Sequence, residues 1–459
     1  MKKVIRNLIL MGTSLLGMTS CSKEIKTYSL TIWTYYNGDT ETSFQKIVEE
    51  YNNTQGKGDH IVVNTISQGS KVNDLLEALL AAANEDFGAQ SMPDMFLAYP
   101  DTAFELDKKD KIVSLDKYFS SSELANFNEG FLNEGRFGDD NSLKVLPVAK
   151  STEALFINKT DFDKFLSEHS ELGIKYSDLE TIEGLIEVSE KYYNATGKAF
   201  FGRDSLDNYF VVSAKQLGID IIGYDEDDNF GINYDKDVFK KLWDSYAVPF
   251  VKGYFNADGN FRSSALKSGS ILAYVGSTSS SSYFPTKVID GDEESHTIES
   301  YVMCTPTFEG KDKYAVSQGA GFCVTKSDTG TEEASVNFLK WLTKKTNIDN
   351  FCHSSGYFPS TKDGFNDEFI SSQSDERFKQ SFKVAKETTE KYTMYTNVVG
   401  EGGTNYRNSL KNSLTTYCND ALSAIKESNY DKDVISTYAS DAKFEEWYAS
   451  LTSTKTRSR

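Results

Sequence analysis

Histidine, cysteine, tryptophan and proline are scarce in this chain of 459 residues, and positive charge is in deficit. The four histidines are scattered, and the five cysteines lack the C-x-x-C spacing of zinc or redox sites. The 49 Lys and Arg residues face 68 Asp and Glu residues, a balance that disfavours nucleic acid, whose binders need a basic surface. We therefore expect no metal, no cofactor and no nucleic-acid partner.

Known catalytic motifs are also missing. The sequence has no G-x-S-x-G elbow, no P-loop and no H-E-x-x-H helix. A glycosidase needs two carboxyl groups about 5–10 Å apart across the sugar. Carboxylates are abundant here, but no local motif identifies such a pair. We expect a binding protein rather than an enzyme, with a surface glycosidase and an adhesive surface lipoprotein as the alternatives.

The acidic stretch 225–237 is the nearest approach to a calcium loop. Phe230 occupies the position that must be glycine, and Lys236 stands where the bidentate glutamate should be. We predict a surface hairpin there instead.

The first twenty residues carry a targeting signal. Lys2, Lys3 and Arg6 precede an apolar run at 8–18, which is too short to cross a bilayer core of about 30 Å and is typical of a signal peptide. Residues 18–21, Met-Thr-Ser-Cys, resemble the bacterial lipobox, which predicts a lipid on Cys21 and a polar tether over 21–26. An ordinary secretory signal with a chance cysteine is the alternative. No later run is long enough to span a membrane.

Removal of residues 1–20 leaves 46 basic residues (49 − 3) against 68 acidic ones, a net charge of −22. We expect a soluble, extracytoplasmic protein that its lipid holds at the cell membrane. Outside the cytoplasm the other cysteines can pair, but the sequence does not give the connectivity. These cysteines are Cys304, Cys323, Cys352 and Cys418. Cys323 lies within an apolar strand, so we predict a small buried hydrophobe there.

Strands and amphipathic helices alternate in the first part of the mature chain. Strands are predicted at 30–33, 61–66 and 95–99. Phe44, Ile47, Val48 and Tyr51 share one face of a helix that Thr42 or Ser43 would cap. This alternation predicts a mainly parallel sheet covered on both faces. Ligands of such sheets bind beyond the carboxyl ends of the strands, which directs attention to the loops at 35–37, 68–71 and 99–101.

A second α/β region extends over about 152–274. Helices are predicted near 182–193, 209–217 and 238–248. A further helix at 329–344 has Thr331 as its candidate cap. The polar tail over 453–459 is predicted to be disordered.

Four segments, in this order and spacing, carry a resemblance to a known family. They are 146–159, with Ser-Thr-Glu and Asn-Lys pieces; 269–283, a small-residue strand ending in a Gly-Ser turn; 319–326, a Gly-Ala-Gly strand before a helix; and 355–359, Ser-Gly-Tyr-Phe-Pro. Together they resemble the family 1 extracellular solute-binding proteins of bacterial ABC importers, and the resemblance covers nearly the whole mature chain.

The resemblance implies the two-lobed type II periplasmic-binding-protein fold. Each lobe would be an α/β unit with a mainly parallel sheet flanked by helices, and hinge strands would join the two. One lobe would comprise 27–148 and 277–345, and the other 149–276 and 346–452. The implied mechanism is hinge closure over a ligand in the cleft, followed by delivery to the permease subunits of an ABC transporter, with the protein acting as a monomer.

A sugar cleft needs aromatic faces for apolar C–H surfaces and polar side chains for hydroxyls. The candidate ligand-binding residues are Tyr35, Tyr36, Asn37, Ser70, Lys71, Tyr99, Asp101, Ser151, Thr152, Glu153, Asn208, Tyr209, Ser277, Ser279, Gly319, Tyr357 and Arg407, with Tyr283 as a further aromatic candidate. Trp33 and Tyr274 lie within strands and are expected in the core. Glu153 is either a ligand contact or a brace of the hinge. We predict a carbohydrate ligand, in particular an oligosaccharide.

A second ligand class follows from a similarity to the glycerol-3-phosphate-binding branch of the same family. That branch has a Ser-rich turn, a Gly-Tyr-Pro tyrosine and a late arginine, which here correspond to 277–281, Tyr357 and Arg407. Arg407 is then an anion clamp, because a guanidinium fork fits phosphate oxygens; otherwise it is a surface helix residue. The branch's tryptophan pair has no counterpart near 203–209, and we favour the neutral carbohydrate.

Overall fold

The computed structural model describes residues 26–69, 72–257, 259, 261–289 and 295–453. The predicted signal peptide, Cys21 and most of the tether lie outside these residues, as do Ser70, Lys71 and residues 454–459 of the predicted disordered tail. No helix in the described ranges is long and apolar enough to cross a membrane. Nor does any group of three His, Cys, Asp or Glu side chains in them have the arrangement of a metal site.

The strands of the amino-terminal half are β1 Tyr28–Thr34, β2 Ile61–Ser67, β3 Met95–Ala98, β4 Arg136–Phe137, β5 Ser142–Leu143, β6 Ala149–Lys150, β7 Glu153–Asn158, β8 Phe201–Arg203 and β9 Ile222–Tyr224. Those that follow are β10 Phe230–Ile232, β11 Ala273–Ser277, β12 Lys287–Val288, β13 His296–Thr297, β14 Ser300–Cys304, β15 Tyr314–Val316, β16 Gly321–Val324, β17 Phe358–Pro359 and β18 Thr393–Tyr395.

The helices begin with α1 Gly38–Asn53, α2 Gln55–Asp59, α3 Val72–Asn84, α4 Pro100–Lys108, α5 Ser121–Leu124, α6 Glu129–Glu134, α7 Lys159–Glu168, α8 Ile182–Thr196 and α9 Leu206–Gln216. They continue with α10 Lys236–Val251, α11 Arg262–Lys267, α12 Thr329–Leu342, α13 Lys345–Ser355, α14 Asp367–Ser371, α15 Glu376–Lys391, α16 Gly403–Glu427, α17 Lys432–Tyr438 and α18 Asp441–Ser453. A short 3-10 helix follows β11 at Thr278–Tyr283.

The first sheet has the strand order β16-β3-β1-β2. β1 runs parallel to β2 and to β3, so the carboxyl ends of all three meet at one edge, while β16 is antiparallel to β3. The predicted helical stripe of α1 is buried against this sheet. The helix begins earlier than expected, at Gly38 after Asn37, and Ser43, one of the predicted caps, is a buried residue inside it.

The second sheet has the order β14-β7-β11-β8. β7 is antiparallel to both of its neighbours, and only β11 and β8 run parallel. The prediction of a mainly parallel sheet is therefore wrong for this lobe. All six residues of β7 are buried because alternate side chains enter different cores: Leu155 and Ile157 belong to one apolar cluster, and Ala154 and Phe156 to another.

Two main apolar cores divide the chain into two lobes. The first lobe takes its core from residues up to Ala149 and from Ala320 to Ala385. The second takes its core from Ala154 to Phe308 and from Leu410 onwards. The chain therefore crosses between lobes in three segments, 150–153, 309–319 and 386–402, the last ending where α16 begins. We call them the first, second and third crossing segments. Helix α15, at the edge of the third, contributes to both lobes.

The predicted lobe boundaries at 276/277 and 345/346 differ from these crossings. After β11 the chain turns back within the second lobe, because β14 pairs with β7 over its whole length. Helix α13 remains in the first lobe, where Ile348, Phe351 and Cys352 join the core. β14 was not predicted, although residues 301–304, Tyr-Val-Met-Cys, form a short apolar run; it is an edge strand with one buried residue.

The other predicted elements are present with shifted ends. Helices α8 and α10 cover their predicted segments, and α9 ends one residue earlier than predicted, at Gln216. β9 and β10 form a hairpin over 222–232, whereas the end of the predicted stretch, at 236–237, belongs to α10. Helix α12 is capped by Asp328 rather than by Thr331: the Asp328 carboxylate accepts from the Gly330 and Thr331 amides at 3.1 and 3.2 Å.

All four cysteines in the described residues are free thiols. Cys323 is fully buried in β16, as predicted, and Cys352 and Cys418 are also buried. Burial raises the pKa of each of these three thiols, which disfavours the reactive thiolate. We expect Ellman's reagent to modify these three thiols only on unfolding, with Cys304 reacting first, and we expect a reductant to leave the Tm unchanged. A Tm that falls on reduction would contradict this.

Candidate functional site

A cavity of about 250 Å³ lies between the lobes, beyond the carboxyl ends of the strands of the first sheet. The amino ends of α3 and α4 supply its first-lobe wall, and α9 and α16 supply its second-lobe wall. Its lining residues are Val72, Asn73, Leu76, Tyr99, Pro100, Asp101, Thr102, Ser205, Asp207, Asn208, Ser317, Gln318, Thr396, Asn397, Thr404, Arg407 and Asn408. Four of the residues predicted from the sequence are among them: Tyr99, Asp101, Asn208 and Arg407.

Asp101 stands in the first turn of α4, directly after Pro100 at the first helical position, and is 8% exposed. Its carboxylate accepts hydrogen bonds from Asn397 Nδ2 at 3.1 and 3.3 Å. Burial raises the pKa of Asp101 to about 6, although Asn397 and Arg407 act in the opposite direction. The amino end of α16 also meets this carboxylate: a Cβ on Gly403 would lie 2.6 Å from it, so a larger residue there would displace the Asp101 carboxylate.

The raised pKa gives Asp101 a pH-dependent effect on stability. Between about pH 4 and 6 the folded state holds this proton more tightly than the unfolded state does, so the contribution of Asp101 to the free energy of unfolding falls as the pH rises. Replacement by Asn removes the buried charge. We expect the free energy of unfolding of Asp101→Asn, relative to that of wild type, to rise by up to about 3 kcal/mol between pH 4 and pH 7.5. Urea unfolding at both pH values measures this change.

The matched control for this prediction is Asp110→Asn in the same lobe. Asp110 is exposed, and its hydrogen bond and ion pair with Lys326 lower its pKa. This variant should show no such gain at pH 7.5. Equal responses of the two variants would refute the assignment to Asp101.

Arg407 lies in the first turns of α16 and contributes its guanidinium group to the cavity wall. Its Nη1 donates to Asn397 Oδ1 at 2.9 Å, and its Nη2 donates to Asp207 Oδ2 at 2.8 Å and to Asn208 Oδ1 at 2.6 Å. Burial alone would raise the pKa of Asp207, but the charge and hydrogen bond of Arg407 hold it below its ordinary value. The arginine is therefore not a surface helix residue, and its charge is paired with Asp207 within the protein.

Glu153 and Tyr209, two further predicted site residues, lie behind this wall. Glu153 is buried and accepts from Asn208 Nδ2 at 2.8 Å and from Arg203. Burial raises its pKa, with Arg203 opposing. The Tyr209 hydroxyl donates to Leu242 O at 2.8 Å, and the Arg203 guanidinium lies 5.5 Å from its ring centre. Glu153 thus braces Asn208, and Tyr209 belongs to the core of the second lobe.

Four predicted tyrosines form one cluster beside the cavity. Tyr35 packs edge-on against Tyr36 at 5.5 Å, and Tyr36 lies 6.4 Å from Tyr357. Burial and the neighbouring phenols Tyr357 and Tyr99 raise the pKa of Tyr35. Of the four, Tyr99 alone lines the cavity.

The remaining aromatic candidates and Asn37 lie elsewhere. Trp33 and Tyr274 are buried in their sheets, as predicted, and Tyr283 is 72% exposed and does not line the cavity. Asn37 lies exposed at the start of α1.

Of the Ser and Thr candidates, Ser151 and Thr152 hold the first and second crossing segments together, whereas Ser277 and Ser279 bond each other after β11. Ser151 exchanges two backbone hydrogen bonds with Gln318, both 2.9 Å, and Thr152 Oγ1 donates to Val316 O at 2.7 Å. Ser277 and Ser279 share a side-chain hydrogen bond of 2.9 Å. None of these four lines the cavity.

Backbone geometry requires a glycine at position 319, next to the hydrogen bonds between Ser151 and Gln318. Its φ is +97°, and a Cβ would lie 2.7 Å from Ala149 O. Only glycine allows the first and second crossing segments to approach this closely.

Sequence reasoning missed most of the second-lobe wall and the second crossing segment. Thr404, Arg407 and Asn408 are spaced i, i+3 and i+4, a signal that places them on one helical face. Asp207 adjoins the predicted Asn208, and Ser317 and Gln318 directly precede the predicted Gly319. Asn397, in the third crossing segment, has no comparable signal.

The family model described as "Bacterial extracellular solute-binding protein" matches residues 46–379. No curated protein sequence matches significantly.

Solved structures resemble the chain over nearly its whole length. A cyclic alpha-maltosyl-1,6-maltose binding protein from Arthrobacter globiformis has a TM-score of 0.65 at 15% identity, with 93% of this chain and 99% of that one covered. A maltose/maltodextrin-binding domain from Bdellovibrio bacteriovorus bound to maltotriose has a TM-score of 0.62 at 14% identity, with 94% and 100% covered. UgpB from Mycobacterium tuberculosis in complex with glycerophosphocholine has a TM-score of 0.65 at 14% identity, also with 94% and 100% covered. At such identities the likeness shows the fold.

Proposed function

Because the chain belongs to the bacterial extracellular solute-binding proteins, we propose that it captures a carbohydrate in the cavity between its lobes and delivers it to the permease of an ABC importer. The main observation in favour of this proposal is that residues of both lobes and of the second and third crossing segments line a single cavity. A ligand in that position contacts both lobes at once, so it binds the closed arrangement more tightly than an open one and favours closure.

The chemistry of the cavity wall favours an uncharged, hydroxyl-rich ligand. Tyr99 offers an aromatic surface, and hydroxyl and amide side chains such as Thr102, Asn397 and Asn408 surround it. Apolar and aromatic surface with a few convergent polar groups is the usual character of a small-molecule site. A sugar ring presents both apolar C–H faces and hydroxyls, which matches this wall.

A glycerophospho ligand is the second candidate, because Arg407 lines the cavity and one of the similar structures contains glycerophosphocholine. The electrostatics weigh against it. Asp207 already pairs with Arg407 at 2.8 Å, and Asp101 adds a second carboxylate to the same wall. Among the described lining residues, a phosphate would therefore meet two carboxylates and one guanidinium that is already paired with a carboxylate. Like charges repel strongly in a buried site.

A thermal-shift screen of the purified protein tests the proposal. Neutral oligosaccharides form one arm, and glycerol-3-phosphate and glycerophosphocholine form the other. A ligand at 100 times its Kd should stabilise the protein by about 2.7 kcal/mol. We expect a rise in Tm with a neutral oligosaccharide and none with the phosphorylated arm. A rise in the phosphorylated arm alone would replace carbohydrate by the second candidate.

We further propose that Cys21 carries the lipid that holds the extracytoplasmic chain at the membrane, that the protein acts as a monomer, and that it does not hydrolyse what it binds. Mass spectrometry of the amino-terminal peptide should show an acylated Cys21, lost in Cys21→Ala. Release of reducing ends from a bound oligosaccharide would contradict the non-enzymatic role. The acyl chains of such a lipid would hold the protein at the membrane surface.

A further inference from the structure

Two neighbouring side chains of the second crossing segment end in polar atoms that lack a partner. Ser317 Oγ and Gln318 Oε1 are shielded from solvent and make no hydrogen bond to any of the residues that the structure describes. Both residues line the cavity, and Ser317 is 5% exposed. A buried polar atom without a partner is unfavourable in a folded protein and calls for an explanation.

The backbone of this segment gives no structural reason for the two side chains. Ser317 N–H donates to Tyr395 O at 2.9 Å, and Gln318 exchanges two backbone hydrogen bonds with Ser151. The main chain is therefore tied to the first and third crossing segments, and apolar side chains would satisfy the same backbone pattern. Because the backbone is bonded on both sides, the two side chains start from fixed backbone positions at the cavity wall.

We propose that Ser317 and Gln318 determine specificity by hydrogen bonding to adjacent hydroxyl groups of the ligand. This rests on the proposed function and deepens it, since it names the ligand group that meets the second crossing segment as an uncharged polyol. A sugar hydroxyl both donates and accepts, as do a serine hydroxyl and a carboxamide. A phosphate only accepts, and it would face the carboxylates of Asp101 and Asp207 on the same wall.

The position of the two residues also links recognition to closure. The second crossing segment is bonded to the first at Ser151 and to the third at Tyr395. A ligand held by Ser317 and Gln318, by Asp101 from the first lobe and by Asn208 from the second contacts the hinge and both lobes together. Loss of a single hydroxyl from the ligand would leave these atoms unpaired again, which is how a polar site rejects a near analogue.

Calorimetric titration with maltotriose, cellotriose and xylotriose tests this in wild type, Ser317→Ala and Gln318→Ala. For the trisaccharide that binds wild type, we expect each variant to lose about 5- to 50-fold in affinity. The Tm of the ligand-free variants should be unchanged or higher, because an unsatisfied buried group has been removed. A merely structural role would instead lower the Tm. Ser354→Ala and Gln45→Ala, at exposed positions, are the matched controls and should bind as wild type does.

Monodeoxy analogues of the same trisaccharide complete the test. Wild type should bind less tightly to the analogue that lacks the contacted hydroxyl. The variant without the contacting side chain should bind that analogue about as well as it binds the parent trisaccharide. Variants that bind within threefold of wild type would overturn the inference and leave the proposed function standing. Failure of wild type to bind any of the three sugars would count against the proposed carbohydrate function itself, and the inference would fall with it.

Discussion

Replacing Arg407 by Ala is expected to lower the free energy of unfolding by about 3 kcal/mol and to abolish capture of the ligand. The guanidinium donates to Asp207, Asn208 and Asn397, and it links elements of the second lobe to the third crossing segment. Its removal leaves the Asp207 carboxylate partly buried without its cation, and an uncompensated buried charge is more costly than the absence of the whole pair. Urea unfolding and calorimetric titration give the two readouts.

The double variant Arg407→Met with Asp207→Leu separates the two effects. Both charges are then gone, so stability should return to within about 1 kcal/mol of wild type, while affinity for the ligand stays low because the wall has lost its polar groups. Arg407→Lys should rescue little, since an ammonium cannot reproduce the three hydrogen bonds of the planar fork. Full stability in Arg407→Ala would show that the ion pair contributes nothing.

Lys150 is the second position at which a large loss is expected. It is 4% exposed, and its Nζ donates to Glu134 Oε2 at 2.9 Å and to Gly319 O at 3.0 Å. The side chain thus joins the first crossing segment, the second crossing segment and α6 of the first lobe. We expect Lys150→Met to lower the free energy of unfolding by about 3 kcal/mol, measured by urea unfolding at pH 7.5.

The partner change Glu134→Leu supplies the control for Lys150. In the double variant Lys150→Met with Glu134→Leu no unpaired carboxylate remains, and most of the loss should be recovered. Lys144→Met is a useful comparison, because Lys144 forms its ion pair with Asp107 of α4 in the first lobe, at 2.8 Å, and not with α6. Of the single variants, Lys150→Met alone should also weaken ligand binding. If both variants bind the ligand equally well, the Lys150 contact plays no part in hinge closure.

Much of the fold was predictable because the first lobe obeys local rules. The amphipathic stripe of α1 and the apolar strands β1 to β3 are visible in any short window of sequence. The second lobe was harder. β14 becomes a strand through its pairing with β7, a contact across more than 140 residues of chain, and no local pattern encodes such a partner. The misplaced lobe boundaries follow from that one strand and from α13.

The site was predicted in part for a similar reason. Tyr99 and Asp101 follow β3, where the carboxyl-end rule points, and both line the cavity. Tyr209 follows no such rule: it belongs to the core of the second lobe, and its hydroxyl donates to Leu242 O. Arg407 was identified by resemblance alone, and its pairing with Asp207, 200 residues away, depends on the tertiary fold.

The most direct test of the central claim is calorimetric titration of a neutral oligosaccharide into wild type and Leu76→Trp. Leu76 lines the cavity from α3, and an indole there occupies the space proposed for the sugar. Leu80→Trp, in the same helix but not in the cavity wall, is the control. We predict one bound sugar per chain in wild type and Leu80→Trp, and none in Leu76→Trp. Equal binding by all three would place the ligand outside the cavity and contradict the account.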